Sequence, residues 1–306
     1  MKTKGKLRLK RYLPLYFLFL PGGLYLLINN YIPLGGLVIA FKQYNVRDGL
    51  WGSPFVGLKN FKFLFATGDA LLITRNTILY NVVFITLNTV IGIVFAIFIC
   101  DAVSNRLKKV YQSVILFPYL MSAVILGYIV YAFLGTENGI VNNTILPLLG
   151  KEPIMWYQEA GYWPFILTFA NMWKGTGYGC LLYISAINGI DTSLFEAAAL
   201  DGASRWQRIK AITLPSLVPT IITTTLMHIG RIFYSDFGLF YQVPRNSGAL
   251  FRTTNVIDTY VYRGLMEQSN VGMSAAAGFY QSIIGFLLVV LANYVVRKIS
   301  EENALF

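Results

Sequence analysis

The chain has 306 residues, 56% of them hydrophobic and only 13% charged, with a net charge of +11. Soluble domains carry about 25% charged residues, so this balance excludes a soluble globular protein and implies a chain that crosses a membrane repeatedly. The charge then needs no nucleic acid to explain it, because basic residues flanking membrane spans on one side account for it.

Lys2, Lys4, Lys6, Arg8, Lys10 and Arg11 precede the first apolar run in the order of a signal segment. No small-x-small cleavage site follows, so the run reads as an uncleaved first span. A helical span needs about 20 mainly apolar residues. Six windows meet that need: 13–33, 77–100, 110–134, 164–188, 216–240 and 273–296. The first is punctuated by Pro14, Pro21, Gly22, Gly23 and Pro33, and its apolar character extends to Phe41. The expected fold is therefore an all-α polytopic membrane protein with six transmembrane helices. Its division is a basic N-terminus (1–12), a membrane domain (13–300) containing a polar loop at 189–215, and a short C-terminal tail (301–306). An even number of spans puts both termini on one side. With that side cytoplasmic, fourteen Lys and Arg lie inside and nine outside, the sense expected of a plasma-membrane protein.

Two outer segments stand out. Residues 41–75 contain Val56-Gly57-Leu58-Lys59-Asn60-Phe61, which reads as a short amphipathic helix at the outer interface. Residues 135–163 carry Trp156, Tyr157, Tyr162 and Trp163, read as an interfacial aromatic belt, with a docking surface for an extracellular protein as the alternative. Cys100 and Cys180 fall within apolar spans and read as small core residues, giving no disulfide or metal framework.

The loop at 189–215 holds the most specific pattern. Glu196-Ala197-Ala198 is followed by Gly202 and then by Ile212-Thr213-Leu214-Pro215. Glu196 through Ala199 favour a short helix whose small side chains let another protein approach closely. Gly202 breaks it, since glycine reverses the backbone without steric cost. Pro215 suits the opening of the next helix. A membrane protein that presents such a helix to the cytosol hands force to a soluble partner.

This spacing resembles the coupling loop in the permease subunits of binding-protein-dependent ABC importers. Further segments look like the sugar-importing branch, in particular the part that takes up complex oligosaccharides and polysaccharide breakdown products. They are Pro14-Leu15-Tyr16, Gly57-Leu58-Lys59-Asn60-Phe61, Arg75-Asn76-Thr77, Asn171-Met172-Trp173-Lys174-Gly175, Asp258-Thr259-Tyr260-Val261-Tyr262-Arg263 and Glu301-Glu302-Asn303-Ala304-Leu305-Phe306. The resemblance implies a type I importer permease in a bacterial plasma membrane. It would pair with a second, homologous permease, two copies of a cytosolic ATPase and an extracellular substrate-binding lipoprotein. Glu196, Ala197, Ala198 and Gly202 would form the ball in the ATPase's socket, with Ile212, Leu214 and Pro215 anchoring the loop to the fifth span. The chain contains no Gly-x-x-x-x-Gly-Lys-Ser/Thr sequence, and Gly175, Gly177 and Gly179 lie inside a span. ATP and Mg are thus assigned to the partner ATPase, with no catalytic residue, metal or cofactor expected here.

Cations inside spans mark the candidate pathway, because an ionisable residue at mid-membrane costs roughly 2.5–3.5 kcal/mol. At about 1.5 Å per residue, Lys174 lies about 15 Å from the outer end of span four, and His228 and Arg231 about 18 and 14 Å from the outer end of span five. Similar depths suggest one aqueous cavity, with His228 and Arg231 on one helix face. Tyr119, Asn171 and Tyr178 would add stacking and hydrogen-bonding groups for a pyranose. The chain is also similar to the sugar-binding permease of the maltose importer. Counting from the coupling loop, its sugar contacts match Asn171, Lys174, Gly175, Tyr178, His228 and Ser235, with Tyr119 matched through its Pro-Tyr pair. Lys174 and His228 depart from the residue types found there. Lys174 and Arg231, with His228 beside them, point to an acidic oligosaccharide; the competing role for Lys174 is a bundle-bracing pair with Asp236 or another acid.

A secondary transporter would use Lys174, Arg231 and Asp236 as an ion relay but has no need of the coupling loop. A membrane-embedded enzyme would need clustered acids, and the acids here are scattered.

Overall fold

The computed structural model describes residues 3–102 and 104–299, so the terminal motif at 301–306 lies outside the described residues. Helices account for nearly all regular structure, and the only extended pairing among the described residues is one isolated bridge between Lys42 and Phe55. In chain order the main helices are α1 (Thr3–Leu26), α2 (Lys59–Ala66), α3 (Asp69–Cys100), α4 (Asn105–Leu116), α5 (Ala123–Leu134) and α6 (Trp163–Asn188). They continue with α7 (Thr192–Leu200), α8 (Arg205–Ile229), α9 (Phe237–Gln242), α10 (Ile257–Met266) and α11 (Val271–Ile299).

Four helical stretches are long and apolar enough to cross a bilayer: Tyr12–Phe41, Asp69–Cys100, Arg205–Ile229 and Val271–Lys298. A fifth is a broken span, in which Asn105–Leu120 and Ala123–Leu134 meet at 94°. The sixth is α6, whose 26 residues reach about 39 Å at 1.5 Å per residue. It does not qualify on apolarity because Asn171, Lys174 and three glycines occupy its middle.

Two predicted spans are corrected in shape. The third, expected to run unbroken over 110–134, turns sharply after a 3-10 stretch at Phe117–Leu120. Pro118 opens that stretch, Met121 is extended, and Ser122 starts α5 afresh by accepting a hydrogen bond from the Ile125 amide at 3.2 Å. The fifth, expected to reach Phe240, stops at Ile229 and resumes only as the short α9. Backbone groups freed inside a membrane must find partners within the protein, and here side chains from three other helices supply them. Asn81 of α3 donates to the carbonyls of Ile232 (2.9 Å) and Tyr234 (3.3 Å). Gln281 of α11 donates to that of Phe233 (2.6 Å), and the Ser235 amide donates to Asp258 of α10 (2.7 Å).

Pro215 opens the α-helical stretch Leu214–Ile229, as expected, but no break in the chain precedes it. It sits within the continuous helix α8, one residue after Leu214, whose amide donates to the Ile209 carbonyl five residues back. That wide turn relieves the clash and the missing donor that proline brings to a helix interior. The same construction precedes Pro33, where Ile32 donates to Leu27, and Pro147, where Leu146 donates to Val141. The chain thus resolves the same local conflict three times by the same device.

Packing centres on α3 against α6, the most extensive helix pair. Ile93, Ala96 and Ile99 meet Cys180, Tyr183, Ile184 and Leu217 at the end nearest α7. At the opposite end Tyr80 and Phe84 pack with Leu126, Trp163, Leu167, Leu239 and Phe240. A third cluster joins α2, α3, α10 and α11 through Leu64, Ile73, Ile257 and Met273. Both cysteines are free thiols, Cys180 buried and Cys100 half-buried. The expected amphipathic helix is α2, whose Leu64 is fully buried in that third cluster.

The aromatic segment departs from a simple belt. Trp163 is fully buried and donates to the Trp156 carbonyl at 2.6 Å, Trp156 donates to Asn142 at 2.9 Å, and Tyr157 donates to the Val243 carbonyl at 3.3 Å. These rings plug the end of the bundle; of the four, Tyr162 is the one markedly exposed. The flanking motifs also act as fasteners. Asn60 donates to the carbonyls of Ala40 and Lys42, Asn76 to that of Asn255, and Thr77 accepts from the Ile257 amide.

Candidate functional site

The polar loop folds as a self-contained, projecting helix. Asp191 caps α7 by accepting from the Ser193 amide at 2.9 Å. That backbone bond, helped by the Ser193 hydroxyl, holds the Asp191 carboxyl below its ordinary range. At the other end the Ala203 amide reaches the Ala198 carbonyl (2.9 Å) and the Gly202 amide that of Ala199 (3.1 Å). These are the two bonds of a Schellman stop, which needs a left-handed residue where Gly202 has φ of +74°. Ser204 and Gln207 then form a reciprocal capping box that launches α8.

No residue of α7 is buried by the rest of the chain. Glu196 and Ala197 are exposed, Ala198 is half-buried, and Leu200 is 91% exposed. An apolar side chain left so open next to small neighbours is what a docking helix requires. Beyond the stop, Ile212 and Leu214 are half-buried, Leu214 packing into the cluster around Leu217, while Pro215 is exposed. Arg205 pairs with Asp101 at the end of α3 at 2.7 Å, tying the loop to the neighbouring turn. Asp191, Asp101 and Arg205 were not singled out from sequence, although the Asp-x-Ser step before an apolar helix is a readable cap signal.

Within the bundle, two adjoining cavities gather most of the predicted site. One, of about 410 Å³, is lined by Tyr119, Asn171, Lys174, Gly175, Asp236 and Leu239. The other, of about 240 Å³, includes Asn81, Asn88, Asn171, Gly179, His228, Arg231 and Asp236 on its wall. Asn171 and Asp236 border both. Tyr178 joins through its ring, stacked on Tyr119 with centroids 4.7 Å apart and planes 12° from parallel. Ser235 is not on either wall; its amide donates to Asp258.

His228 and Arg231 do share a cavity, but not a helix face, because α8 ends between them. Lys174 and Asp236 line one cavity without approaching within the 4.0 Å of an ion pair among the described residues. Asp236 instead caps α9, accepting from the Leu239 amide at 3.0 Å. The bracing pair is therefore absent from this state, and a cation faces the cavity. Asn88, unremarked from sequence, fixes the site's geometry by donating to Asn171 at 2.8 Å and accepting from Thr176 at 2.9 Å. Its signal was present: Asn81 and Asn88 lie seven apart on an apolar helix, two turns along one face.

Residues 88–301 match the family described as binding-protein-dependent transport system inner membrane component. The chain belongs to this family. It is similar to the Bacillus subtilis protein LplB, 33% identical across 96% of this chain and 92% of that one. It is 30% identical to the Bacillus subtilis polygalacturonan/rhamnogalacturonan transport system permease protein YteP, across 94% of this chain and 89% of that one. A solved bacterial ABC transporter involved in the import of the acidic polysaccharide alginate contains a chain of the same architecture. It superposes with a TM-score of 0.88 at 29% identity, covering 97% of this chain and 99% of its own. This permease is a transport subunit of an importer, nucleotide hydrolysis belonging to a separate ATPase.

Proposed function

We propose that this chain forms, with a second permease, the membrane path of an ATP-driven importer for acidic oligosaccharides delivered by an extracellular binding protein. Its termini and α7 face the cytosol of a bacterium, where Glu196, Ala197, Ala198 and Gly202 seat in the ATPase and Ile212, Leu214 and Pro215 pass the motion to α8. The observation that carries the reading is α7, capped at both ends and uncovered by the other described residues. ATP and Mg belong to the partner; this chain supplies the path.

The substrate class rests on the cavity. Lys174 and Arg231 bring cations to the two adjoining walls, Tyr119 and Tyr178 offer a stacked aromatic surface, and Asn171 and Gly175 shape the boundary. His228 adds a titratable donor, while Ser235 lies behind the wall and acts through the break in span five. The alginate importer, whose substrate is an acidic polysaccharide, is the solved relative that supports this choice.

Two measurements test the proposal. A pull-down from native membranes should recover a second permease and an ATPase in stoichiometric amounts, and recovery of the chain alone would defeat the assembly. In proteoliposomes, Lys174→Ala should cut uptake of an anionic oligosaccharide about tenfold, the loss expected for one charge-assisted hydrogen bond. Uptake of a neutral oligosaccharide should change little. Unchanged uptake of the charged sugar would remove Lys174 from the binding role.

A further inference from the structure

A third cavity shares α9 with the deep pair. It holds about 250 Å³ and is lined by Val124, Gly127, Tyr128, Tyr241, Gln242, Arg245 and Asn246. Asp236 and Leu239, at the start of α9, face the deep cavity, whereas Tyr241 and Gln242, at its end, face this one. The short helix thus contributes residues to both cavities.

Arg245 is the unusual group in it. Its guanidinium lies 4.2 Å from the ring centre of Tyr131 and 5.9 Å from that of Tyr128. No carboxylate pairs with it within 4.0 Å among the described residues. Stacking occupies the face of a guanidinium and leaves its in-plane N–H groups free, the edge that takes a carboxylate bidentately. Arg245 and Asn246 are moreover consecutive left-handed residues, with φ of 55° and 49°. Asparagine tolerates that region, whereas arginine adopts it only where the surrounding contacts offset the strain. The turn is rigidly held: Asn246 donates to Glu267 at 2.9 Å and accepts from Arg263 at 3.0 Å. Arg263 is itself buried and stacked 4.1 Å over Phe251. Tyr241 is fixed by stacking on Phe237 and by an edge contact with Tyr262.

We propose that Arg245, stacked on Tyr131 beside Tyr128 and completed by Tyr241 and Gln242, forms an outer subsite that binds a carboxylate-bearing sugar unit before the oligosaccharide reaches the deep cavity. This rests on the acidic-substrate reading given above. Charge-assisted contact to the guanidinium edge supplies the selectivity, and the exposed face of Tyr128 supplies a platform for the pyranose ring.

The test uses the whole importer, both permeases with the ATPase and the binding protein, in proteoliposomes. Uptake is measured for an oligouronate and for its carboxyl-reduced, neutral counterpart. Arg245→Gln should raise KM for the oligouronate about tenfold with a smaller change in kcat, leave KM for the neutral sugar at the parental value, and be partly rescued by Arg245→Lys. Lys151→Gln, which removes an exposed cation from the same end, should keep the parental KM for both. A parental KM for the oligouronate in Arg245→Gln overturns the subsite, and so does an equal rise for both sugars, which marks a structural role. If Arg245→Gln fails to assemble, Tyr128→Leu, at a ring 64% exposed, is judged by the same two criteria. A parent importer that moves only the neutral sugar overturns the acidic-substrate reading itself, so the two failures are distinguishable.

Discussion

Replacing Gly202 with valine is expected to lower ATP-driven uptake at least tenfold, while Gly202→Asn retains most of it. The left-handed φ of +74° places Gly202 where a residue with a Cβ costs about 1–2 kcal/mol, and a β-branched one more. Asparagine tolerates that region best among the alternatives. A tenfold factor corresponds to about 1.4 kcal/mol, so the strain alone is large enough. No described residue lies within 4 Å of a Cβ built at that position, so the effect comes through the backbone and not through a local clash. The Schellman stop would open, the Ala203 to Ala198 bond would be lost, and α7 would change its angle to α8. Uptake and sugar-stimulated ATPase activity in proteoliposomes measure this together. Full coupling in Gly202→Val would show that the stop does not orient the docking helix.

The stop, cap and docking helix were legible because every element of them is local. A glycine at the end of a helix and small residues within it can be read from a few consecutive positions. The break at 230–235 was not legible for the opposite reason. Ile232, Phe233 and Phe237 keep the hydropathy high across it, and the side chains that make the break affordable in a membrane lie far away in sequence, at Asn81, Asp258 and Gln281. Depths counted along an imagined continuous helix therefore brought Arg231 and His228 together for the wrong reason. They meet because the chain turns, not because they share a face.

The aromatic segment carries a related lesson. Trp156, Tyr157 and Trp163 have the composition of an interfacial belt, and composition does not distinguish rings that face lipid from rings that close a bundle. What decides is whether their polar atoms find protein partners, and here the Trp156 and Trp163 indoles and the Tyr157 hydroxyl all do. Pro215 was legible in part, since it does open the α-helical stretch from Leu214. Its missing donor suggested a helix start, and the wide turn ending at Leu214 joins that start to the helix before it. The glycines of α6 divide between two roles, close packing at Gly177 and a cavity wall at Gly175 and Gly179.

That division sets up the second large effect. A Cβ at Gly177 would sit 1.9 Å from the Ile115 carbonyl oxygen and 2.6 Å from its carbon, so α4 would have to move away from α6. Both atoms are backbone, which cannot rotate aside as a side chain would. At Gly179, two residues on, a Cβ would meet nothing within 4 Å. Gly177→Ala should therefore destabilise the permease by about 1–3 kcal/mol, the usual penalty of overpacking. Gly179→Ala should be neutral or stabilising by up to about 1 kcal/mol, through the helix propensity gained. Transport should fall with Gly177→Ala as well, because α4 leads directly into the bend that carries Tyr119. A shift of α4 by an ångström or more would part Tyr119 from Tyr178, whose rings now stack at 4.7 Å on the cavity's edge. Thermal unfolding of the detergent-solubilised complex, run beside uptake assays for both variants, separates the packing effect from the cavity effect. Equal stability of the two alanine variants would mean that α4 and α6 are not held by their backbone contact, and the placement of Tyr119 would need another cause.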